Sequence, residues 1–196
     1  MKSLALFDFD GTITSKDTLL HFTRFVKGNS KFWKGMTVLL PIFLALKLKV
    51  MPNWKAKESF LKYFFGGMPL AEFDSWCKRY AIEKLPELLR KAALDKLNWH
   101  LQQGHDIYIV SASPENWIKP WAGKLNIKVI ATQLQVTEGK ISGLISGHNC
   151  YGIEKVKRLN QAIDTKNYET IYSYGDSKGD KEMLEMASEK FYRRFN

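Results

Sequence analysis

Cysteine is almost missing from this chain: Cys77 and Cys150 are the only two, and they form no C-x-x-C pair. Their scarcity excludes a disulfide scaffold and a thiolate metal site, and it fits a reducing compartment. No apolar run is long enough to cross a bilayer; the candidate, Met36 to Leu46, has eleven residues and is interrupted by Pro41. The start, Met1-Lys2-Ser3-Leu4, does not make a signal peptide, because Asp8 and Asp10 interrupt the apolar region at once. Internal repeats and low-complexity tracts are absent too. Acidic residues run short in one place. Between Thr18 and Ala71 nine basic residues face a single acid, Glu58, so most of the net charge of +10 sits there. Such a region attracts nucleic acid, anionic lipid or a phosphorylated substrate, or is a well-solvated helical surface.

What is present is an ordinary globular composition over 196 residues, enough for a core domain with an insertion. Leu4 to Phe7 reads as a buried parallel strand that runs into Asp8-Phe9-Asp10-Gly11-Thr12. A polar connector follows, able to cap a helix at Asp17 or Thr18. From Thr18 to about Leu85 the pattern predicts helices only. They are Leu19 to Val26, broken at Gly28-Asn29-Ser30, then Met36 to Leu46, Pro52 to Phe65, and Pro69 to Leu85. The second is read as a buried helix kinked at Pro41, with a helix lying at an interface as the alternative. Pro86 to Gln103 is expected to form one helix. Asp106 to Val110, Lys128 to Ala131 and Thr170 to Tyr174 are expected strands, and Glu138-Gly139 marks a hairpin. Helices at Glu154 to Ile163 and Lys181 to Ala187 and a strand at Phe191-Tyr192 complete an α/β fold with a parallel sheet.

On an extended chain Asp8 and Asp10 point the same way and face one site, a costly pairing unless a cation or a shared proton relieves it. Alone, D-x-D reads equally well as a strand ending in an Asx-type turn. Further polar stations stand at Ser111, Lys155 and Asp176/Asp180. Three carboxylates at one sheet edge form a hard-oxygen site suited to Mg²⁺. Ser111 offers a hydrogen bond and Lys155 a fixed positive charge, together able to hold the non-bridging oxygens of a phosphoryl group. A carboxylate is a known nucleophile for phosphoryl transfer, giving an aspartyl-phosphate, and a bridging metal neutralises the repulsion. His21, His100, His105 and His148 show no ligand spacing. The six tryptophans read as packing or pocket walls rather than a stacking platform for nucleic acid.

Asp8-Phe9-Asp10-Gly11-Thr12, Ser111, Lys155 and Gly175-Asp176-Ser177-Lys178-Gly179-Asp180 stand in the order of the four motifs of the haloacid dehalogenase superfamily, which the whole chain resembles. The insertion after the first motif resembles that superfamily's helical C1 cap, as in its phosphoserine-phosphatase-like branch. The resemblance implies a Rossmann-like core at 1–16 and 86–196 and an all-helical cap at 17–85. It implies a phosphomonoester hydrolase with Asp8 as nucleophile and Asp10 as general acid, then base. Mg²⁺ would be held by Asp8, the backbone carbonyl of Asp10, and Asp176, with Asp180 behind them orienting the metal site or Lys155. Thr12, Ser111, Ala112 and Lys155 would surround the phosphate, and Asp17 and Arg24 would meet the rest of the substrate. Asp10 points to phosphate esters, because the superfamily's dehalogenases lack that second acid.

Phosphoserine is not the expected substrate. Arg24 is not placed for a carboxylate clamp, Ala112-Ser113 stand where two glycines are usual, and Gly179 replaces an Asn. The segment Leu39 to Leu44 is similar to that of bacterial phosphatidylglycerophosphatase C relatives. That similarity implies a small or amphiphilic phosphate ester and a cytoplasmic protein in peripheral contact with the inner face of an anionic membrane. A phosphoserine phosphatase, a lipid-phosphate phosphatase, a phosphotransferase and a non-enzymatic basic binding module are the alternatives; nucleic acid is not an expected partner.

Overall fold

The structure, a computed structural model, describes residues 2–195. In chain order it runs β1 (Ser3–Phe7), α1 (Thr18–Val38), α2 (Leu40–Lys47), α3 (Asn53–Phe65), α4 (Leu70–Glu83), α5 (Lys91–Gln102), β2 (Asp106–Pro114) and α6 (Glu115–Ala122). Then come β3 (Lys128–Thr132), β4 (Leu134–Thr137), β5 (Lys140–Ile145), α7 (Ile153–Ala162), β6 (Thr170–Gly175), α8 (Lys181–Glu185) and β7 (Glu189–Tyr192). Five strands form a parallel sheet in the order β3-β2-β1-β6-β7, with Phe7 of β1 opposite Ile109 of β2 and Tyr174 of β6. Alternate residues of β1 serve opposite faces. Ala5 and Phe7 pack with Ile109, Leu97 of α5 and Trp117 of α6; Leu4 and Leu6 pack with Val110, Leu159 of α7 and Met183 of α8. With both faces covered, β1 has no need of polar residues, and this is why it reads as an unbroken apolar run. The chain leaves β1 toward β2 on one side and returns at β6 on the other, which opens a crevice at the carboxyl edge of the three central strands.

Between β1 and α5 the described residues form helices and turns and no strand, as expected. The connectors into and out of this insert lie side by side. Ser15 N–H donates to the Leu88 carbonyl and Arg90 N–H to the Ile13 carbonyl, at 2.8 Å each. This pairing is why the expected single helix from Pro86 is in fact two pieces. Pro86 lies in one 3₁₀ turn, Leu85–Leu88, the next two residues are extended, and α5 starts only at Lys91. Gly28 breaks α1 with φ 74° and ψ 165°, yet helix resumes at once and runs to Val38.

The buried helix kinked at Pro41 is corrected. Leu39 separates α1 from α2, and Pro41 occupies the first turn of α2, where its missing N–H leaves nothing unpaired. No residue of α2 is fully buried: Ile42 and Phe43 pack inward, which leaves Leu40 and Leu44 about half exposed on the other side. Trp33 and Trp54 are likewise exposed, unlike the buried Trp117 and Trp121. Helix α6 was not anticipated, because Pro120 interrupts a segment already too short to show a period. The β4–β5 hairpin turns at Glu138-Gly139 as expected, but it stands apart from the main sheet and docks on the insert. Gly67 N–H donates to the Ile141 carbonyl, Ile141 N–H to that of Met68, and Ile145 N–H to the Glu58 carboxylate.

Candidate active site

β1 ends at Phe7, and the chain turns immediately: the N–H groups of Ile13 and Thr14 both return to the Phe9 carbonyl. Gly11 sits at φ 83°, and a side chain there would collide with the Asp176 carboxylate, so this approach of the turn to the end of β6 requires glycine. The backbone is therefore not extended across Asp8 and Asp10, and the expected side-by-side projection is corrected. Both still line one cavity of about 440 Å³ at the sheet edge. Asp8 turns toward Asp176 and Asp180, whereas Asp10 turns toward Ser113 and Thr18.

Lys155, fully buried in the first turn of α7, donates to Asp8 Oδ1 at 2.6 Å, to Asp180 Oδ1 at 2.5 Å and to the Val110 carbonyl at 2.7 Å. All three of its donors are used. The other oxygen of Asp180 accepts from Ser177 N–H and Oγ at 2.9 and 2.8 Å and from Asp176 N–H at 3.2 Å. Burial pushes the Asp180 pKa up, but Lys155 and Ser177 outweigh it and hold the carboxyl below its ordinary value. Burial likewise acts against the Lys155 ammonium, and Asp8 and Asp180 more than restore it. Asp8 fares differently. Its burial dominates and its pKa is pushed up to about 7, with Lys155 opposing and Asp180 and Asp10 adding. Lys155 and Asp180 thus form the settled ion pair, and Asp8 is the carboxylate left short of positive charge.

Asp176 adds to that shortage. Its Oδ1 is buried with no hydrogen-bond partner, and burial, then Asp180, raises its pKa. Asp8, Asp176 and Asp180 bring carboxylate oxygens within 4.8 Å of one another. An orphaned buried carboxylate oxygen beside two more carboxylates is costly alone and fits a hard divalent cation. Asp180 already accepts four hydrogen bonds, whereas Asp8 accepts one on each oxygen and Asp176 Oδ1 none, so Asp176 and then Asp8 have the most capacity to spare.

Asp10 is held at both oxygens. Thr18 N–H donates to Oδ1 at 2.7 Å and the Ser113 hydroxyl donates to Oδ2. Behind them Trp117 Nε1 donates to Thr18 Oγ1 at 3.0 Å. Burial, then Asp17, pushes the Asp10 pKa up to about 6, against the opposing bonds from Ser113 and Thr18. A carboxyl near neutrality can both give and take a proton at physiological pH.

Ser111 is buried on the cavity wall with its Oγ accepting from Ser113 N–H at 3.0 Å, and Ala112 lines the same wall. Thr12 touches Asp8 rather than the open cavity, donating to Oδ2 at 3.3 Å. Asp17 caps α1 through Leu20 N–H at 3.1 Å and sits on the cavity rim. Arg24 does not reach the site: it is exposed on the flank of α1, bonded to Asn29. Two residues escaped the sequence. Ser113 holds Asp10, and its nearness to Ser111 was the only hint. Lys57 of α3 enters the cavity and donates to the Ala112 carbonyl at 3.0 Å and to Asn149 Oδ1 at 2.8 Å. Among nine basic residues of one segment, nothing marked it out.

A family model described as haloacid dehalogenase-like hydrolase matches residues 5–185. The Caulobacter vibrioides protein CicA is 33% identical over 194 residues, 98% of this chain and 86% of that protein. A histidinol-phosphatase of Neisseria meningitidis is 26% identical over 212 residues, 96% of this chain and 89% of that one. Among solved structures, a protein of unknown function from Bordetella pertussis has a TM-score of 0.83 at 22% identity, covering 96% of this chain and 88% of that one. A phosphoserine phosphatase in a phospho-aspartyl intermediate analogue has a TM-score of 0.68 at 18% identity, covering 96% and 85%. At these identities the two structures speak for the fold.

Proposed function

Since this chain belongs to the haloacid dehalogenase-like hydrolases, with a phosphatase among its relatives, we propose that it is a Mg²⁺-dependent phosphomonoester hydrolase acting through an aspartyl-phosphate on Asp8. The observation that carries this reading is Asp8 itself. It is a buried carboxylate aimed by Lys155 and Thr12 beside the unpartnered oxygen of Asp176. Asp8, Asp176 and the backbone carbonyl of Asp10 would hold the cation. When bound, it supplies the charge that lets a carboxylate approach a phosphoryl group. Asp8 then attacks phosphorus and forms the acyl phosphate. Asp10 gives its proton to the leaving alcohol and afterwards takes one from the water that hydrolyses the intermediate. Ser111 and the Ala112 backbone hold non-bridging oxygens, and Asp180 keeps Lys155 charged and the Asp176 turn closed. In this reading residues 17–85 cap a core of 1–16 and 86–196.

The test is hydrolysis of a chromogenic aryl phosphate. Turnover should require Mg²⁺, stop on chelation and vanish in Asp8→Asn; turnover indifferent to Asp8→Asn would overturn the reading. One observation favours a finer substrate class. Leu40 and Leu44 of α2, with Leu48 and Val50 after it, are exposed beside Lys47 and Lys49. An apolar face flanked by lysines supports an amphiphilic phosphate ester met at the inner face of an anionic membrane. The protein should then sediment with anionic but not neutral vesicles and cleave lipid phosphates faster than phosphoserine. Indifference to both comparisons removes this finer class and leaves the phosphatase reading intact.

A further inference from the structure

A second cavity, of about 640 Å³, lies among the start of α3, the end of β5 with the loop after it, and the start of α7. Asn53 and Tyr151 line both it and the cavity of Asp8, so the two adjoin where the insert meets the core. Its open surface is mostly apolar, with Trp54 from the insert, Ile145 from the hairpin, and Tyr151 and Ile153 from the core. Trp54, Tyr151 and Ile153 are each about half exposed. Several polar groups beside them already have partners in the protein. Glu58 accepts from Ile145 N–H, Glu154 pairs with Arg158 at 3.0 Å, and the Asn149 carboxamide oxygen accepts from Lys57 and Thr132. Lys157 is the one lysine of the lining and is exposed to solvent.

Tyr151 stands at the junction on backbone tied down on both sides. Cys150 N–H donates to Thr132 Oγ1 and Gly152 N–H to the Gly179 carbonyl, at 3.0 Å each. The Tyr151 ring lies against Gly179, where any Cβ would strike it. Glycine in place of the usual asparagine in the Asp176 turn thus makes room for this ring. An aromatic side chain left open on a fixed loop offers a large contact area at little cost in conformational entropy. A displacement at phosphorus is in line, so the leaving group departs on the side away from Asp8. Resting on the reading of Asp8 as nucleophile, we infer that the second cavity is a subsite for the far end of an elongated apolar leaving group, which reaches it past Tyr151. Its continuity with the cavity of Asp8 is what names the occupant: a single substrate molecule, held by Tyr151, Trp54 and Ile153. The open face of α2 is a separate surface, since none of its residues lines this cavity.

The experiment is calorimetric binding of two phosphonates that cannot be turned over, propylphosphonate and octylphosphonate, to the full chain with Mg²⁺ present. Wild type should bind the longer compound roughly tenfold tighter or more, since each methylene taken from water adds up to about fourfold. Ile153→Asp and Trp54→Asp place a carboxylate at the cavity from the core and from the insert. Each should abolish the preference while propylphosphonate binds as before. Ile153→Leu should keep it, which guards against a variant that merely misfolds, and so should Leu44→Gln on the open side of α2. The proposal is overturned if wild type shows no preference or if either Asp variant keeps it. Loss of the preference in Leu44→Gln also overturns it, since the chain would then lie on α2. So does an equal weakening of both compounds by the Asp variants, because Trp54 and Ile153 would then only hold the insert against the core. Because binding is read without turnover, a failure here is separable from failure of the Asp8 assignment, which the aryl phosphate assay reads.

Discussion

Asp10 shows how much of a residue's chemistry is set by what holds it. Buried, with Thr18 and Ser113 on its two oxygens, it carries a pKa of about 6. Ser113→Ala removes a donor that favours the ionised form, so the alkaline limb of kcat/KM, which Asp10 sets as the acid of the first step, should move to higher pH; a limb that stays put would separate Ser113 from proton transfer. Asp10→Asn should release phenol from an aryl phosphate in one burst and then stall, with turnover reduced on the order of 10²–10⁴-fold. Mass spectrometry of the quenched protein should find the phosphoryl group on Asp8. Asp8, Asp176 and Lys155 were legible because their motifs keep a fixed order along the chain. Ser113 and Lys57 were not. Ser113 acts on a carboxylate 103 residues earlier and Lys57 on a carbonyl 55 residues later, separations across which no local pattern extends.

At the scale of elements, punctuation was readable and solvent exposure was not. Pro52 and Gly66-Gly67 bracket α3, and Glu138-Gly139 turns the hairpin, because these residues control local dihedrals wherever they stand. Helix α2 was misread because apolar residues surround it, and a helix without a polar stripe does not say which face is inward. The two sides should behave differently on mutation. Leu44→Gln, on the open side, should leave urea stability within about 0.5 kcal/mol, whereas Phe60→Ala in the core should cost about 3–5 kcal/mol. Gly28 supplies the break in α1 at dihedrals open almost only to glycine, with no atom within 4 Å of an added Cβ. Gly28→Ala should therefore lose about 1–3 kcal/mol through the backbone alone, read by the same urea titration, and spare aryl phosphate turnover.

For the molecule as a whole, the acidic site works against the fold that carries it. Asp8 and Asp10 titrate at about 7 and about 6 when folded, above the 3.8 of a free aspartate. The folded chain thus keeps protons that the unfolded chain has released, and the stability they bring is complete below about pH 4 and lost as pH rises through about 6 to 7. In chelator, the Tm of Asp8→Asn should overtake that of wild type across this window. Added Mg²⁺ should raise the wild-type Tm near neutrality and move Asp176→Asn much less, since a ligand stabilises only the state that binds it. The α/β class was legible from the helix–strand alternation; the docking of the hairpin on the insert was not, being made mostly by backbone carbonyls and amides that any sequence possesses, with Glu58 the one side chain that accepts across it among the described residues. The sheet order has a last consequence for how the protein is made. β1 is translated before both of its neighbours, and one of them, β6, follows only after the insert, β2 and the hairpin. Until then β1, apolar from Leu4 to Phe7, has an open edge, and neither the Asp176 motif nor its glycine contact exists. The assembled site is thus reserved for a chain already translated through β6 and the turn after it.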